Sequence, residues 1–264
     1  MKLILCCDYG LDDAAATADA LKFARDDGYC EAVLVAIGGN VPPDVALANC
    51  KKLVAHLSYE LPLITIVDTT AKRQPYEFLK KIHGNDGMGN MFEDVADGKS
   101  VAFDEWLNTL SGEYDLLSLG PMTLVEEILK RGNCRKLVFM AGNIAQEPNF
   151  HGYEFNHALD REAFSRIVTY EHVAVTMDTC RVPLLNVQDS LPEEGSLVSR
   201  FVHRAREMTF VSGEKGCYLW DDIAVKVLRH PSWFVTEKRV DRDGNHVNVA
   251  RYVLSKPYSE IMDI

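Results

Sequence analysis

Short runs of strand-forming apolar residues alternate with longer stretches of helical period through the first two thirds of this chain. That alternation constrains the fold more than any other feature. Lys2 to Cys7, Glu31 to Ile37, Leu63 to Val67, Tyr114 to Leu119, Lys136 to Ala141 and His172 to Met177 read as strands. Asp12 to Asp27, about Pro43 to Leu57 and about Met122 to Arg131 read as helices. In the first helix Ala14, Ala18 and Leu21 share a face and Gly28 stops it; in the second Leu47, Cys50, Val54 and Leu57 form the stripe. Strands alternating with helices connect by right-handed crossovers, which gives an open, mainly parallel sheet with helices on both faces. The pattern leaves strand order open.

The last third reads differently. Leu197 to Phe210 and Asp221 to Leu228 look helical, and Trp233 to Val240 and Val247 to Leu254 look like an antiparallel pair turned by Asp243-Gly244-Asn245. This predicts an α/β fold with a small helical and antiparallel C-terminal part. No repeat, low-complexity tract or linker interrupts the 264 residues, so residues 1–264 read as a single domain.

Charge and cysteine usage narrow the function classes. With 39 acidic and 28 basic side chains the net charge is -11, which argues against nucleic acid and anionic membranes as partners. Seven scattered cysteines, with Cys6 and Cys7 adjacent and no Cys-x-x-Cys spacing, argue for a reduced, cytoplasmic setting and against zinc. The N-terminal apolar run is too short for a signal peptide, and no segment is apolar enough to span a bilayer.

In open α/β sheets ligands sit beyond the carboxyl ends of the strands. The first strand runs into Asp8, Asp12 and Asp13, the second into Gly38-Gly39-Asn40, and later ones into Leu119-Gly120-Pro121 and Gly142-Asn143. Three aspartates in six positions repel one another unless a cation or protons compensate, and oxygen-only donors suit Ca²⁺ or Mg²⁺. Asp12 and Asp13 alone also fit the first turn of a helix, where carboxylates complement the dipole; Asp8 favours the metal, because a cap does not need a third carboxylate. Ile82 to Asn90 is dense in glycine, which suits either a surface turn or a close backbone approach to a ligand. In Asn149 to Asn156, Glu154 and Asn156 share a side if the stretch is extended; that suits a polyhydroxylated ligand, or a solvated loop.

Taken in order, these segments resemble the inosine-uridine nucleoside hydrolase family. The resemblance runs from Asp8-Tyr9-Gly10-Leu11-Asp12-Asp13 through Gly39-Asn40, Ile82 to Gly89, Gly120-Pro121-Met122-Thr123, Phe139-Met140-Ala141-Gly142 and Glu154-Phe155-Asn156 to Asp221. It implies a calcium-dependent ribonucleoside hydrolase that frees nucleobase and ribose. By that resemblance Asp8, Asp13, Asp221 and the Leu119 carbonyl hold Ca²⁺, and Asp8 is general base on a calcium-activated water. Asp12 and Asn156 bind the ribose diol, with Asn40 near the water. Glu154 and Asn149 reach the 5′-hydroxyl side, Met140 lines the ribose pocket and His83 lies toward the base. The partner is a small nucleoside, and the assembly by analogy is a homodimer or homotetramer.

Three positions depart from the family pattern. Cys6 stands where an aspartate usually supports the calcium shell. Tyr9 replaces a proline and loosens the turn. Trp220 replaces a histidine that protonates the leaving base, which tryptophan cannot do; it either packs in the core or stacks on a purine. His83, His151 and His203 are the other proton donors to weigh. Cys6 and Trp220 together motivate a second reading, a nucleoside- or ribose-binding member with weak or lost catalysis. A magnesium-dependent phosphohydrolase of the haloacid dehalogenase type fits poorly, because Tyr9-Gly10 follows Asp8 where a second acid two residues on is needed.

Overall fold

Lys2–Cys7 forms the central strand, β1, and all but its first residue is buried. The computed structural model describes residues 1–57, 60–69, 77–93, 98–188, 195–212 and 216–262. The other strands are β2 (Glu31–Ala36), β3 (Leu63–Asp68), β4 (Val101–Ala102), β5 (Glu113–Ser118), β6 (Asn133–Met140), β7 (Val173–Val175), β8 (Phe234–Val240) and β9 (His246–Tyr252). The helices are α1 (Leu11–Asp26), α2 (Pro43–His56), α3 (Lys80–His83), α4 (Phe103–Thr109), α5 (Val125–Leu129), α6 (Phe155–Leu159), α7 (Arg161–Ile167), α8 (Met177–Cys180), α9 (Leu197–Ser212), α10 (Trp220–Arg229) and α11 (Tyr258–Ile261).

The strands make one sheet in the order β4-β3-β2-β1-β5-β6-β7-β9-β8. Every neighbouring pair is parallel except β8 with β9. After β1 the chain builds outward through β2, β3 and β4, then returns to add β5 on the other side of β1. That reversal creates a crevice at the carboxyl end of β1, where such sheets bind ligands. Because alternate residues of a strand face opposite sides, Leu3, Leu5 and Cys7 join one apolar cluster and Ile4 and Cys6 the other. The first cluster takes in α1, α2, α9 and α10; the second takes in α4, α5 and α7. Helices therefore cover both faces.

The differences from the sequence reading have local causes. α1 buries nearly its whole circumference instead of one face, because α9 and α10 pack against it as well. Its alanines let three elements approach closely. On α2 the fully buried stripe is Ala46, Asn49, Cys50 and Leu53, with Leu47, Val54 and Leu57 only partly covered. The segment from Met122 starts as a 3₁₀ turn, Met122–Leu124, before α5. β7 stops at Val175 because Thr176 turns the chain into α8, its N–H donating to the Thr179 hydroxyl at 3.0 Å. The C-terminal hairpin is antiparallel as read, and β9 lies beside β7 and extends the sheet. Its outer strand carries Glu237, Lys238 and Arg239, which blunts an open edge. Among the described residues no helix is long and apolar enough to cross a membrane.

One buried ionic group ties α1 to α10. Lys226 donates to Asp19 Oδ2 at 2.7 Å and lies 3.7 Å from Asp222 Oδ2, and all three side chains are essentially inaccessible. The Tyr258 hydroxyl donates to the same Asp222 oxygen. Burial pushes the Asp222 carboxyl up to about 6, with Lys226 opposing the rise and Asp19 adding to it. Removing the cation strands two carboxylates in a medium that solvates them poorly. Lys226→Met is expected to lower unfolding stability by about 3–5 kcal/mol, and Asp19→Asn in the same chain to restore part of the loss. Urea midpoints measure both; a loss below about 1 kcal/mol would show that the pair contributes little.

Candidate active site

The carboxyl ends of β1, β2 and β5 and the N-termini of α1 and α10 converge on a cluster of carboxylates. Asp8 follows β1, Asp12 and Asp13 lie in the first turn of α1, and Asp221 lies in the first turn of α10. Asp13 serves as helix cap and cluster member at once. Its Oδ2 accepts the Gly10 N–H at 2.8 Å and its Oδ1 the Asp8 N–H at 3.3 Å. Asp12, Asp13 and Asp221 each offer an oxygen within 4.8 Å of the others. Asp8 adjoins them: its N–H donates to Asp13 Oδ1, and Asn40 Nδ2 bridges the two carboxylates.

Neutral donors orient Asp8. The Asn40 N–H donates to Asp8 Oδ2 at 2.8 Å, and Asn40 Nδ2 donates to Asp8 Oδ1 at 2.9 Å and to Asp13 Oδ2 at 3.2 Å. This closeness requires glycine at two places. A Cβ on Gly39 would collide with the Asp8 carboxylate, and one on Gly10 with the Asn40 amide. Between them Tyr9 turns the chain at φ 51°, a conformation closed to proline. The tyrosine thus marks a different turn, not a loosened proline one, and its ring is fully buried.

Among the described residues no lysine or arginine touches the four carboxylates; the nearest basic group is His83, 3.8 Å from Asp12. Burial pushes Asp8 up to about 7, with repulsion from Asp12 and Glu154 adding to it. Burial also raises Asp12, Asp13 and Asp221, and for the last two the neighbouring carboxylates raise it further. Three buried acids and a partly buried one, offering only oxygen donors and no lysine or arginine partner among the described residues, are the setting a hard divalent cation fits.

The cluster lies at the floor of a cavity of about 300 Å³. Asp12, Asn40, Leu119 and Asp221 face it, while Asp8 and Asp13 are fully buried beneath. His83, Met140, Asn149, Glu154, Asn156 and Trp220 also line it. The twelve residues read from the sequence as metal, catalytic or substrate-binding groups thus lie in or directly under one cavity.

Their local engagements differ in part from the sequence reading. The Leu119 carbonyl, read as a calcium ligand, accepts Asn156 Nδ2 at 3.0 Å, and the Met140 carbonyl accepts the same nitrogen at 3.0 Å. Glu154 to Asn156 is not extended. Glu154 caps α6, its carboxylate accepting the N–H groups of Asn156 at 2.9 Å, His157 at 3.0 Å and Gly142 at 2.8 Å. Both side chains still meet at the cavity, because the cap holds the helix start against β6. His83 Nδ1 accepts the Leu11 N–H at 3.0 Å, so the proton of the neutral ring sits on Nε2. The glycine-rich segment supports this placement: Gly84, Gly87 and Gly89 all take positive φ, folding the chain back so that α3 presents His83 to α1. His151 and His203 do not line the cavity.

Trp220, the first residue of α10, packs one side on the core and opens to the cavity. Cys6 brings neither charge nor ligand: it packs in the second apolar cluster, and burial pushes its thiol up to about 12. Sequence reasoning missed Arg181, Tyr218, Phe78 and Phe155, which also line the cavity. Arg181 follows β7 and α8, where the strand-end rule applied to the other strands points as well. Phe78 has no such signal, since only the fold of the chain after β3 brings it here.

Comparison with known proteins agrees with this architecture. The family described as inosine-uridine preferring nucleoside hydrolase matches residues 3–254. A probable uridine nucleosidase 1 of Oryza sativa subsp. japonica is 27% identical over 270 residues, spanning 91% of this chain and 80% of the relative. The non-specific ribonucleoside hydrolase RihC of Salmonella newport is 29% identical over 174 residues, 62% of this chain and 56% of the relative. The structure of a purine-preferring ribonucleoside hydrolase from Gardnerella vaginalis superimposes with a TM-score of 0.69 at 19% identity, covering 96% of this chain and 94% of that one. With the match running through nearly the whole chain and the carboxylate cluster at its centre, this protein belongs to the inosine-uridine preferring nucleoside hydrolase family and is a ribonucleoside N-glycosyl hydrolase.

Proposed function

We propose that the cavity hydrolyses ribonucleosides with Ca²⁺ held at the carboxylate cluster and Asp8 as general base. The observation that carries this reading is the cluster of Asp8, Asp12, Asp13 and Asp221, three of them buried and none touched by a lysine or arginine among the described residues, at the floor of a cavity of about 300 Å³. The relatives are named for uridine, for ribonucleosides without base preference and for purine ribonucleosides, and we infer the same class of substrate here. The seven cysteines are all free, which supports a reducing, cytoplasmic setting.

Asp12, Asp13 and Asp221 are the side chains that would hold the ion, with Asp8 adjoining and Leu119 offering a backbone oxygen. A calcium ion accepts such mixed carboxylate, carbonyl and hydroxyl oxygens in a flexible shell. When bound it supplies Lewis-acid polarisation of water and of ribose hydroxyls. The chain does the rest. Cleavage of the C1′–N bond builds positive charge on the ribose ring, and the acidic floor stabilises that charge. Asp8, fixed at both oxygens by Asn40, takes a proton from the attacking water, and a carboxyl pushed up to about 7 suits a base working near neutrality. Asn156 has both amide bonds committed to carbonyls, so it offers a ribose hydroxyl its Oδ1.

A panel of inosine, adenosine, guanosine, uridine and cytidine with added Ca²⁺ tests the reading, free base being followed by chromatography. Release from at least one nucleoside is expected, and Asp8→Asn should lower the rate by about 10³-fold while the fold persists. Full metal occupancy with no release anywhere would instead identify a nucleoside-binding protein.

The acidic floor should also reject an added phosphate. Inosine monophosphate is expected to turn over at least about 100-fold more slowly than inosine, and equal rates would contradict the charge argument.

Metal and pH are linked through the same acids. The cluster's raised carboxyls keep protons in the folded state that the unfolded chain releases above about pH 4. Their contribution therefore makes the metal-free protein less stable as pH rises through about 7, the value for Asp8. Ca²⁺ should raise the Tm more at pH 7.5 than at pH 5, as differential scanning fluorimetry would show. A gain independent of pH would place the ion elsewhere.

A further inference from the structure

The cavity is electrically polarised. Asp12 and Asp221 face it from the floor with Asp8 and Asp13 beneath, while Arg181 faces it beside Trp220. Among the described residues Arg181 is the one permanent cation lining the cavity, and no carboxylate there lies within salt-bridge reach of it. Its guanidinium sits 5.5 Å from the centre of the Trp220 ring, and Nη1 donates to the Glu147 carbonyl at 3.1 Å. A guanidinium has five N–H donors, so one such bond leaves most of them uncommitted.

The position of Arg181 is well braced. It caps the end of α8, its N–H donating to the Met177 carbonyl at 2.9 Å. One turn earlier, the Asp178 carboxylate gathers the N–H groups of Ile144, Ala145 and Gln146 at 2.7, 2.8 and 3.1 Å. That grip fixes the loop after β6, which carries Glu147, against α8. The stem and the head of Arg181 are therefore held by one rigid unit, which is what a charge needs in order to act without reorganising.

Hydrolysis of an N-glycosidic bond separates charge in a defined direction. Positive charge grows on the ribose and negative charge on the departing base. A polarised cavity aligns that dipole, with ribose toward the carboxylates and base toward the cation. No histidine stands at the start of α10 to protonate the base, because Trp220 occupies that place. His83 also lines the cavity, but its Nδ1 accepts the Leu11 N–H and its ring lies 3.8 Å from Asp12.

We propose, resting on the hydrolase reading above, that Arg181 stabilises the departing nucleobase as an anion, replacing protonation by a histidine with an electrostatic device built on Trp220. In this step the water oxygen bonds to C1′ and one water proton passes to Asp8. The electron pair of the C1′–N bond leaves with the base nitrogen, opposite the guanidinium. The base then takes a proton from solvent, and Asp8 returns its own, so protons balance over the cycle. Trp220 holds the guanidinium by its ring face and gives the base a flat apolar neighbour.

The test compares two leaving groups. A natural base departs as a poor anion and needs stabilisation; 4-nitrophenolate departs readily and does not. Arg181→Gln is expected to lower kcat on the best ribonucleoside by about 100-fold, with KM changed far less, and to leave kcat on 4-nitrophenyl β-D-riboside within about threefold. Arg181→Lys should recover much of the nucleoside rate, since it keeps the charge. Retained turnover of the nitrophenyl riboside also shows that the variant is folded with an intact floor. An active wild type whose Arg181→Gln variant slows both substrates equally, or neither, overturns the role of Arg181 alone. A wild type inert toward both overturns the hydrolase reading as well.

Discussion

Mutual repulsion among Asp8, Asp12, Asp13 and Asp221 is the constraint around which this molecule is arranged. All four are buried, or nearly so; burial raises each carboxyl, and neighbouring carboxylates raise those of Asp13 and Asp221 further. A fold that gathers such a group must supply rigidity from elsewhere. Part of it comes from neutral donors, with Asn40 binding Asp8 and Asp13 together and the Gly10 N–H binding Asp13. Part comes from deeper in the structure, where Lys226 on α10 binds Asp19 on α1. The two helices that carry Asp12, Asp13 and Asp221 are thus clamped by an ion pair lying below the cluster. A buried pair of this kind adds little net stability over an apolar one, but it fixes which faces meet.

The sheet order explains why these residues converge. Because β1 lies between β2 and β5, the loops leaving its two sides diverge and open a crevice at its carboxyl end. Asp8, Asn40 and Leu119 leave from neighbouring strands and meet across that crevice. The close approach leaves no space for a Cβ at Gly39 or Gly10, so the glycines there follow from the packing of polar groups, not from a need for turns. α10 arrives from the far end of the chain and completes the floor with Asp221. Trp220 and Arg181 line the same cavity as these carboxylates. The cavity therefore has a direction, and a bond whose cleavage separates charge fits it in one orientation.

Much of this was legible before any coordinates. Apolar runs at strand length, broken by helical stretches, fixed the alternation of β1 to β7 with helices, because burial of alternating faces demands those periods. Three aspartates at one strand end marked the site, since carboxylates do not gather without a reason. Other features were read only in part. Glu154 and Asn156 belonged to the cavity, but as the cap and first turn of α6, because the carboxylate finds three backbone N–H groups once the loop after β6 folds beside it. The α2 stripe was displaced, because the angle at which a helix meets a sheet is set by the partner and not by the helix. Arg181 follows a strand too, but its place beside Trp220 in the cavity depends on contacts between distant segments, which no local pattern reveals.

By itself, then, the sequence determined the elements, the acidic character of the site and the residues that could serve it, since periodicity, charge and glycine content are local properties. Tertiary structure decided the rest. Strand order placed the crevice at β1, the α1 and α10 clamp set which three carboxylates share one small volume, and the loop after β6 decided that Asn156 spends its amide on carbonyls. It also set Arg181 beside Trp220 in the cavity. Each of these depends on groups far apart along the chain meeting in a low-dielectric interior, where burial and neighbouring charge, not residue type, fix protonation and pairing.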